Sequence, residues 1–184
     1  MASMSRPTIT TAEQLLTHRA PGRQELVRGE LRVMSHAGKW HGAVAMRLGT
    51  RLFLFVEEHN LGLVFAAETG FVLARDPDTV LAPDVSFVRK DRLADVTTRG
   101  FFEGPPDLAV EVLSPDDTKT RVRDKVNGWL EHGTRLLWVV DPRTRRATVH
   151  HPHRAARTLD AAAVLDGEDV LPGLRLPVAD LWPR

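Results

Sequence analysis

The stretch that most constrains this chain is Leu108-Ala109-Val110-Glu111-Val112-Leu113-Ser114-Pro115-Asp116-Asp117. It reads as a buried strand running directly into a capped helix. Residues 108–113 are apolar except for Glu111. A carboxylate inside a core-grade strand needs compensation, because burying an unpaired charge is costly. An edge position or an arginine partner would supply it; so would a metal ion. Ser114 is a preferred N-cap, Pro115 suits the first helical position, and Asp116 and Asp117 suit the positive end of a helix dipole. Ser114 and Asp117 also have the spacing of a capping box. The sequence therefore predicts a helix over residues 115–132, with Val122, Val126, Trp129 and Leu130 as its inner stripe and Gly133 as its cap.

Upstream, residues 11–18 form a short helix candidate capped by Thr10 or Thr11. Residues 24–27 and 31–34 flank Arg28-Gly29-Glu30 as a tight hairpin. Glu25 and Glu30 read as solvent-facing charges on that hairpin. Residues 41–58 carry Val44, Leu48, Leu52, Phe55 and Val56 at helical spacing. His36 and His41 stand before or at the start of this helix, five residues apart and off a common face. Structural or surface roles are expected of them. Residues 63–67, 70–74 and 84–88 read as strands, with Glu68 between the first two and Asp84 at the mouth of the third. Residues 89–104 form a surface excursion with Arg89, Lys90, Arg92 and Arg99. Residues 136–140 form a second nearly unbroken apolar strand, expected to be buried on both faces, and residues 147–151 return antiparallel to it.

The chain of 184 residues is long enough for one domain with a sizeable core, and no repeat divides it. The expected organisation is a single domain over residues 1–184. It comprises an N-terminal helix and hairpin at about 8–36, a core at about 41–151 and a C-terminal strap at about 158–184. The 25 basic and 24 acidic residues give a net charge of +1, so bulk charge does not advertise nucleic-acid binding. The absence of cysteine excludes disulfides, thiolate nucleophiles and cysteine-ligated zinc. The start lacks the apolar run of a signal peptide, and no stretch approaches a membrane span. A soluble cytoplasmic protein is the expectation.

Three residues suggest chemistry together: Asp84, Glu111 and Lys125. On a helical wheel counted from Val122, Lys125 lies at about −60° and Trp129 at about −20°, so Lys125 borders the buried stripe. Glu111 lies roughly 10 Å back along its strand from Ser114. Lys125 lies roughly 16 Å along the helix from the same residue. A helix folded antiparallel over its strand would bring the two to similar heights. Lys119 sits too close to the strand's end to match as well. Two carboxylates offer hard oxygen ligands for Mg²⁺ or Mn²⁺, and a lysine can position water and offset charge on a phosphate. A structural ion-pair network at the core's rim accounts for the same spacing, and both readings stay open. His150, His151 and His153 are a weaker metal candidate.

Taken in order, the motifs resemble the Uma-type (Uma-two) family of bacterial restriction-endonuclease-like proteins, within the PD-(D/E)XK nuclease superfamily. The residues that carry the resemblance are Gln24-Glu25-Leu26-Val27-Arg28-Gly29-Glu30-Leu31, His41 opening a helix and Pro83-Asp84-Val85-Ser86-Phe87-Val88. Pro106-Asp107-Leu108 through Ser114-Pro115, Lys125 and Gly133 through Trp138-Val139-Val140-Asp141-Pro142 continue it. The resemblance implies an α/β fold with a restriction-endonuclease-like mixed β-sheet flanked by helices. It implies a Mg²⁺- or Mn²⁺-dependent endonuclease acting on DNA, with Asp84 and Glu111 as metal ligands and Lys125 as the third catalytic residue. The superfamily usually places lysine two residues after the glutamate, and here that position is Leu113. The Uma-type pattern supplies it from the following helix. Glu68 is a weak candidate for a third acid. Phosphate contacts are expected from Arg89, Lys90, Arg92 and Arg99, and from Arg143, Arg145, Arg146, Arg154 and Arg157. A homodimer is expected, since twofold subunits can each address one strand. The alternative is a catalytically inactive module that binds nucleic acid or a protein partner, or, more plainly, a dimeric structural protein.

Overall fold

The computed structural model describes residues 8–34, 36–93 and 99–183. Helix α1 (Ala12–Thr17) opens it, with Thr11 and Gln14 closing a capping box. Strands β1 (Arg23–Val27) and β2 (Glu30–Met34) form the expected hairpin. Its two-residue turn places Arg28 at φ 52° and Gly29 at φ 75°, the left-handed pair that a tight antiparallel hairpin requires. Helix α2 (Lys39–His59) follows, then β3 (Gly62–Ala66), β4 (Phe71–Ala74), β5 (Thr79–Leu81) and β6 (Val85–Arg89). A short β7 (Phe102–Glu103) precedes β8 (Leu108–Val112), helix α3 (Lys119–Glu131), β9 (Leu136–Asp141) and β10 (Arg146–His150). The chain closes with β11 (Arg157–Leu159), β12 (Val164–Asp166) and β13 (Arg175–Pro177). Of the surface excursion expected over residues 89–104, residues 94–98 lie outside the described residues.

The strands divide into a six-stranded sheet ordered β11-β10-β9-β8-β6-β3, a five-stranded sheet ordered β2-β1-β5-β4-β7, and the pair β12-β13. In the six-stranded sheet only β8 and β9 run parallel, and both are apolar but for one residue and buried along almost their whole length. Alternation along β8 then sorts its side chains. Leu108, Val110 and Val112 meet the Val44, Leu48, Leu52 and Val56 stripe of α2. Ala109 faces the other way, into a cluster with Trp129 of α3 and Phe71 and Leu81 of the five-stranded sheet. Glu111 shares that second face, two residues on. The C-terminal segment seals the α2 side with Leu165, Leu171, Leu174, Val178 and Leu181.

Helix α3 begins later than the sequence suggests. Ser114 does not cap it. The Ser114 N–H donates to Asp117 Oδ2 at 2.8 Å, and the Asp117 N–H returns to the Ser114 carbonyl at 3.1 Å. This reciprocal pair closes a turn through Pro115 and Asp116. Thr118 then provides a fresh cap, its hydroxyl accepting from the Arg121 N–H. Two cap-competent residues stand four apart, and the second wins because the first is used by the turn. Counted from Thr118, Lys125 lies about 10 Å along the helix, closer to the setback of Glu111 than a start at Ser114 gives.

Candidate functional site

Glu25, Asp84 and Glu111 are 4%, 3% and 6% exposed, levels that carboxylates reach only when they have partners. They meet where β6 begins, where β8 ends and where β1 crosses above. Asp84 stands one residue before β6. Its N–H donates to the Val110 carbonyl at 3.0 Å, and its own Oδ2 accepts the Val112 N–H at 2.8 Å. The carboxylate thus continues the ladder at the point where the backbone turns away. Oδ2 also lies 3.1 Å from His41 Nε2, in the first turn of α2. Oδ1 accepts from Arg23 Nη1 at 2.7 Å. Burial works to raise the Asp84 carboxyl, but the His41 hydrogen bond and the charges of Arg23 and Lys125 hold it well below the usual carboxylate range.

Glu111 is held by two residues one helical turn apart on α3. Lys125 Nζ donates to Oε2 and Trp129 Nε1 donates to Oε1, each at 2.8 Å. Burial pushes the Glu111 carboxyl up to about 7; Lys125 and Arg23 oppose the rise, while Asp84 and Glu25 add to it. Lys125 also lies 3.4 Å from Glu25 Oε1. Burial disfavours its charge, but Glu111 and Glu25 outweigh that and hold the ammonium protonated far above neutral pH. Arg23, Glu25, His41, Asp84, Glu111 and Lys125 all line one cleft of ≈ 1740 Å³.

The sequence-predicted trio is therefore brought into one cluster. Glu68 lines the same cleft but stands exposed in the turn after β3 and makes no hydrogen bond or ion pair with the three acids. One expectation needs correction. Glu25 is not solvent-facing: its Oε1 accepts the Ala82 N–H at 3.0 Å and faces Lys125, because the five-stranded sheet layers over this end of the larger one. Glu30 is exposed as expected. His41 takes a structural role, holding Asp84 from the first turn of α2. Arg23 joins the site without any motif to announce it. Only alternation with the buried Glu25 marks it, and that burial is set by tertiary packing.

The basic regions lie elsewhere. Arg89 pairs with Asp91, Arg92 with Asp107, and Arg143 with Asp141, and none of them lines the cleft. Arg28, Arg32 and Arg121 do line it, all exposed and outside any ion pair among the described residues. His151 is engaged by Glu168 at 2.7 Å. Among the described residues no group of three or more His, Asp or Glu side chains is arranged to hold a metal ion. What the cluster offers is a pair of buried carboxylates with additional negative charge from Glu25. Such a pair fits a hard cation that retains its own waters and needs only one or two protein carboxylates.

The family model for Uma2, described as "Putative restriction endonuclease", matches residues 11–179. A crystal structure of "a putative nuclease belonging to DUF820" from Anabaena variabilis superposes with a TM-score of 0.81 at 23% identity, covering 94% of this chain and 97% of that one. No curated protein matches the chain. Among the described residues no helix is long and apolar enough to cross a membrane.

Proposed function

The chain belongs to the Uma2 family of restriction-endonuclease-like proteins, and we propose that it is a Mg²⁺- or Mn²⁺-dependent endonuclease hydrolysing DNA phosphodiester bonds. The observation that carries this reading is the buried cluster in which Lys125 reaches Glu111 at 2.8 Å beside Asp84, at the floor of an open cleft. Asp84 and Glu111 would hold the cation. When bound, it supplies Lewis acidity toward a phosphate oxygen and acidifies water. The chain's own groups do the rest. Lys125 has N–H directions left after Glu111, enough to orient an attacking water and offset charge on the pentavalent phosphate. His41 and the Val112 N–H fix the Asp84 carboxylate in place. Arg28, Arg32 and Arg121 stand where flanking phosphates would pass.

One observation favours a second reading. Each oxygen of Asp84 and Glu111 already accepts a hydrogen bond from the protein's own donors. A closed network of this kind also suits an inactive module that binds nucleic acid or a protein. Plasmid incubation in Mg²⁺ and in Mn²⁺ separates the two, run with the wild type, Glu111→Ala and Lys125→Ala. Nicking by the wild type that both variants lose is the expected result. A folded wild type that cuts nothing, beside an Asp84→Ala, Glu111→Ala double variant that still binds its partner, would establish the second reading.

A further inference from the structure

We infer that Arg23 competes with the divalent cation for Asp84, so that the cation binds only as the guanidinium gives up Oδ1. This rests on the metal-dependent reading of the site. The donors on the two acids are of different kinds. The Val112 N–H belongs to the backbone, and Trp129 is fully buried, so neither can leave without unfolding. Lys125 lies between Glu111 and Glu25, at 2.8 Å and 3.4 Å, and stays between two anions whichever oxygen is shared. Arg23 is the exception. It is the sole donor to Asp84 Oδ1 among the described residues, at 2.7 Å, and it brings a full positive charge to that atom.

A guanidinium and a dication on one carboxylate oxygen repel each other strongly in a buried site. The Arg23 fork is also incompletely satisfied. Nη2 donates to the Ala82 carbonyl, while Nε is buried without a hydrogen-bond partner among the described residues. Glu25 Oε1 lies 4.0 Å from Nη2, an alternative anion within a small rotation. Arg23 lines the cleft from which a cation would approach Asp84. The arginine thus neutralises Asp84 until a cation takes its place.

The test is calorimetric titration of the full chain with Mn²⁺ alone, comparing wild type, Arg23→Gln, Arg23→Lys and Glu111→Ala. Removing a competitor tightens binding, whereas damage to a supporting residue weakens it. Arg23→Gln is expected to bind Mn²⁺ at least tenfold more tightly than wild type. Arg23→Lys, which lacks the fork spanning Ala82 and Asp84, should shift the same way by less, and it serves if the glutamine variant fails to fold. Wild-type binding that Glu111→Ala abolishes, with unchanged or weaker binding in the Arg23 variants, overturns the competition and leaves the metal site standing. No binding in wild type or either Arg23 variant overturns both.

Discussion

Ionising Glu111 should destabilise this fold, and the effect can be read from stability alone. The carboxyl sits at about 7 against an ordinary 4.5, and burial is the largest cause. A raised folded-state value means that the folded chain holds a proton the unfolded chain has already lost. The contribution of Glu111 to stability is therefore fully present below pH 4.5 and is lost as pH rises through about 7. Each tenfold gain in proton affinity on folding is worth about 1.4 kcal/mol, so the loss reaches about 3 kcal/mol at pH 8. Asp84 acts with the opposite sign, but its depressed carboxyl titrates below this window. Glu111→Gln removes the titrating group and keeps an oxygen for Trp129. In the variant Lys125 lacks this anion at every pH, as it does in the wild type while Glu111 is protonated, so the pair enters the difference only where the wild type ionises. The measurement is urea unfolding of both proteins from pH 4 to pH 8 with chelator present. Wild-type stability minus variant stability should fall by about 3 kcal/mol across that range, steepest near pH 6. Parallel curves would refute the argument. A difference that rises with pH would show that Lys125 and Trp129 outweigh burial. Mn²⁺ added at pH 8 should recover part of the loss in the wild type only.

Three further outcomes rest on the same network. Asp84→Asn removes the charge from the acceptor of Arg23 and should lower unfolding free energy by only about 1 kcal/mol, because the guanidinium turns to Glu25; a loss of about 3 kcal/mol or more in urea denaturation would mean that Arg23 stays stranded at Asp84. Mn²⁺ affinity should climb about tenfold per pH unit below about 7 and level off above it, because Glu111 must lose its proton to serve as a ligand. Trp129→Phe removes one donor to that carboxylate and should move this limb to higher pH by about 1, which the same calorimetric pH series would reveal.

What the sequence makes legible is whatever depends on neighbours along the chain. The apolar run around Glu111, the stripe of α2 and the turn at Arg28-Gly29 all follow from local periodicity and backbone preference. The approach of Lys125 to Glu111 follows too, because a strand and the helix after it have few ways to pack. Arg23 and Glu25 stay hidden for the complementary reason. Their burial comes from a second sheet laid over the first, in which the hairpin is tied to β4 only through β5, a three-residue strand too short to show a period. The start of α3 is ambiguous in the sequence because local chemistry permits a cap at Ser114 and at Thr118, and only the Asp117 hydrogen bond decides between them.

The helix-borne lysine changes how the site depends on the fold. With a lysine two residues along the same strand, acid and ammonium are fixed by one backbone. Here that position is Leu113, and the ammonium arrives from α3. Lys125 and Trp129 are spaced i, i+4, so they lie on one helix face and reach the two oxygens of one carboxylate together. Trp129 packs against Phe71 of the second sheet, with ring centroids 6.3 Å apart. Seating α3 therefore completes the core and delivers the ammonium in a single event. A slip of α3 by one residue would turn both donors by about 100° and strip Glu111 of both hydrogen bonds. The carboxylate that would hold the cation therefore keeps both of its side-chain donors only while the helix is docked in this register.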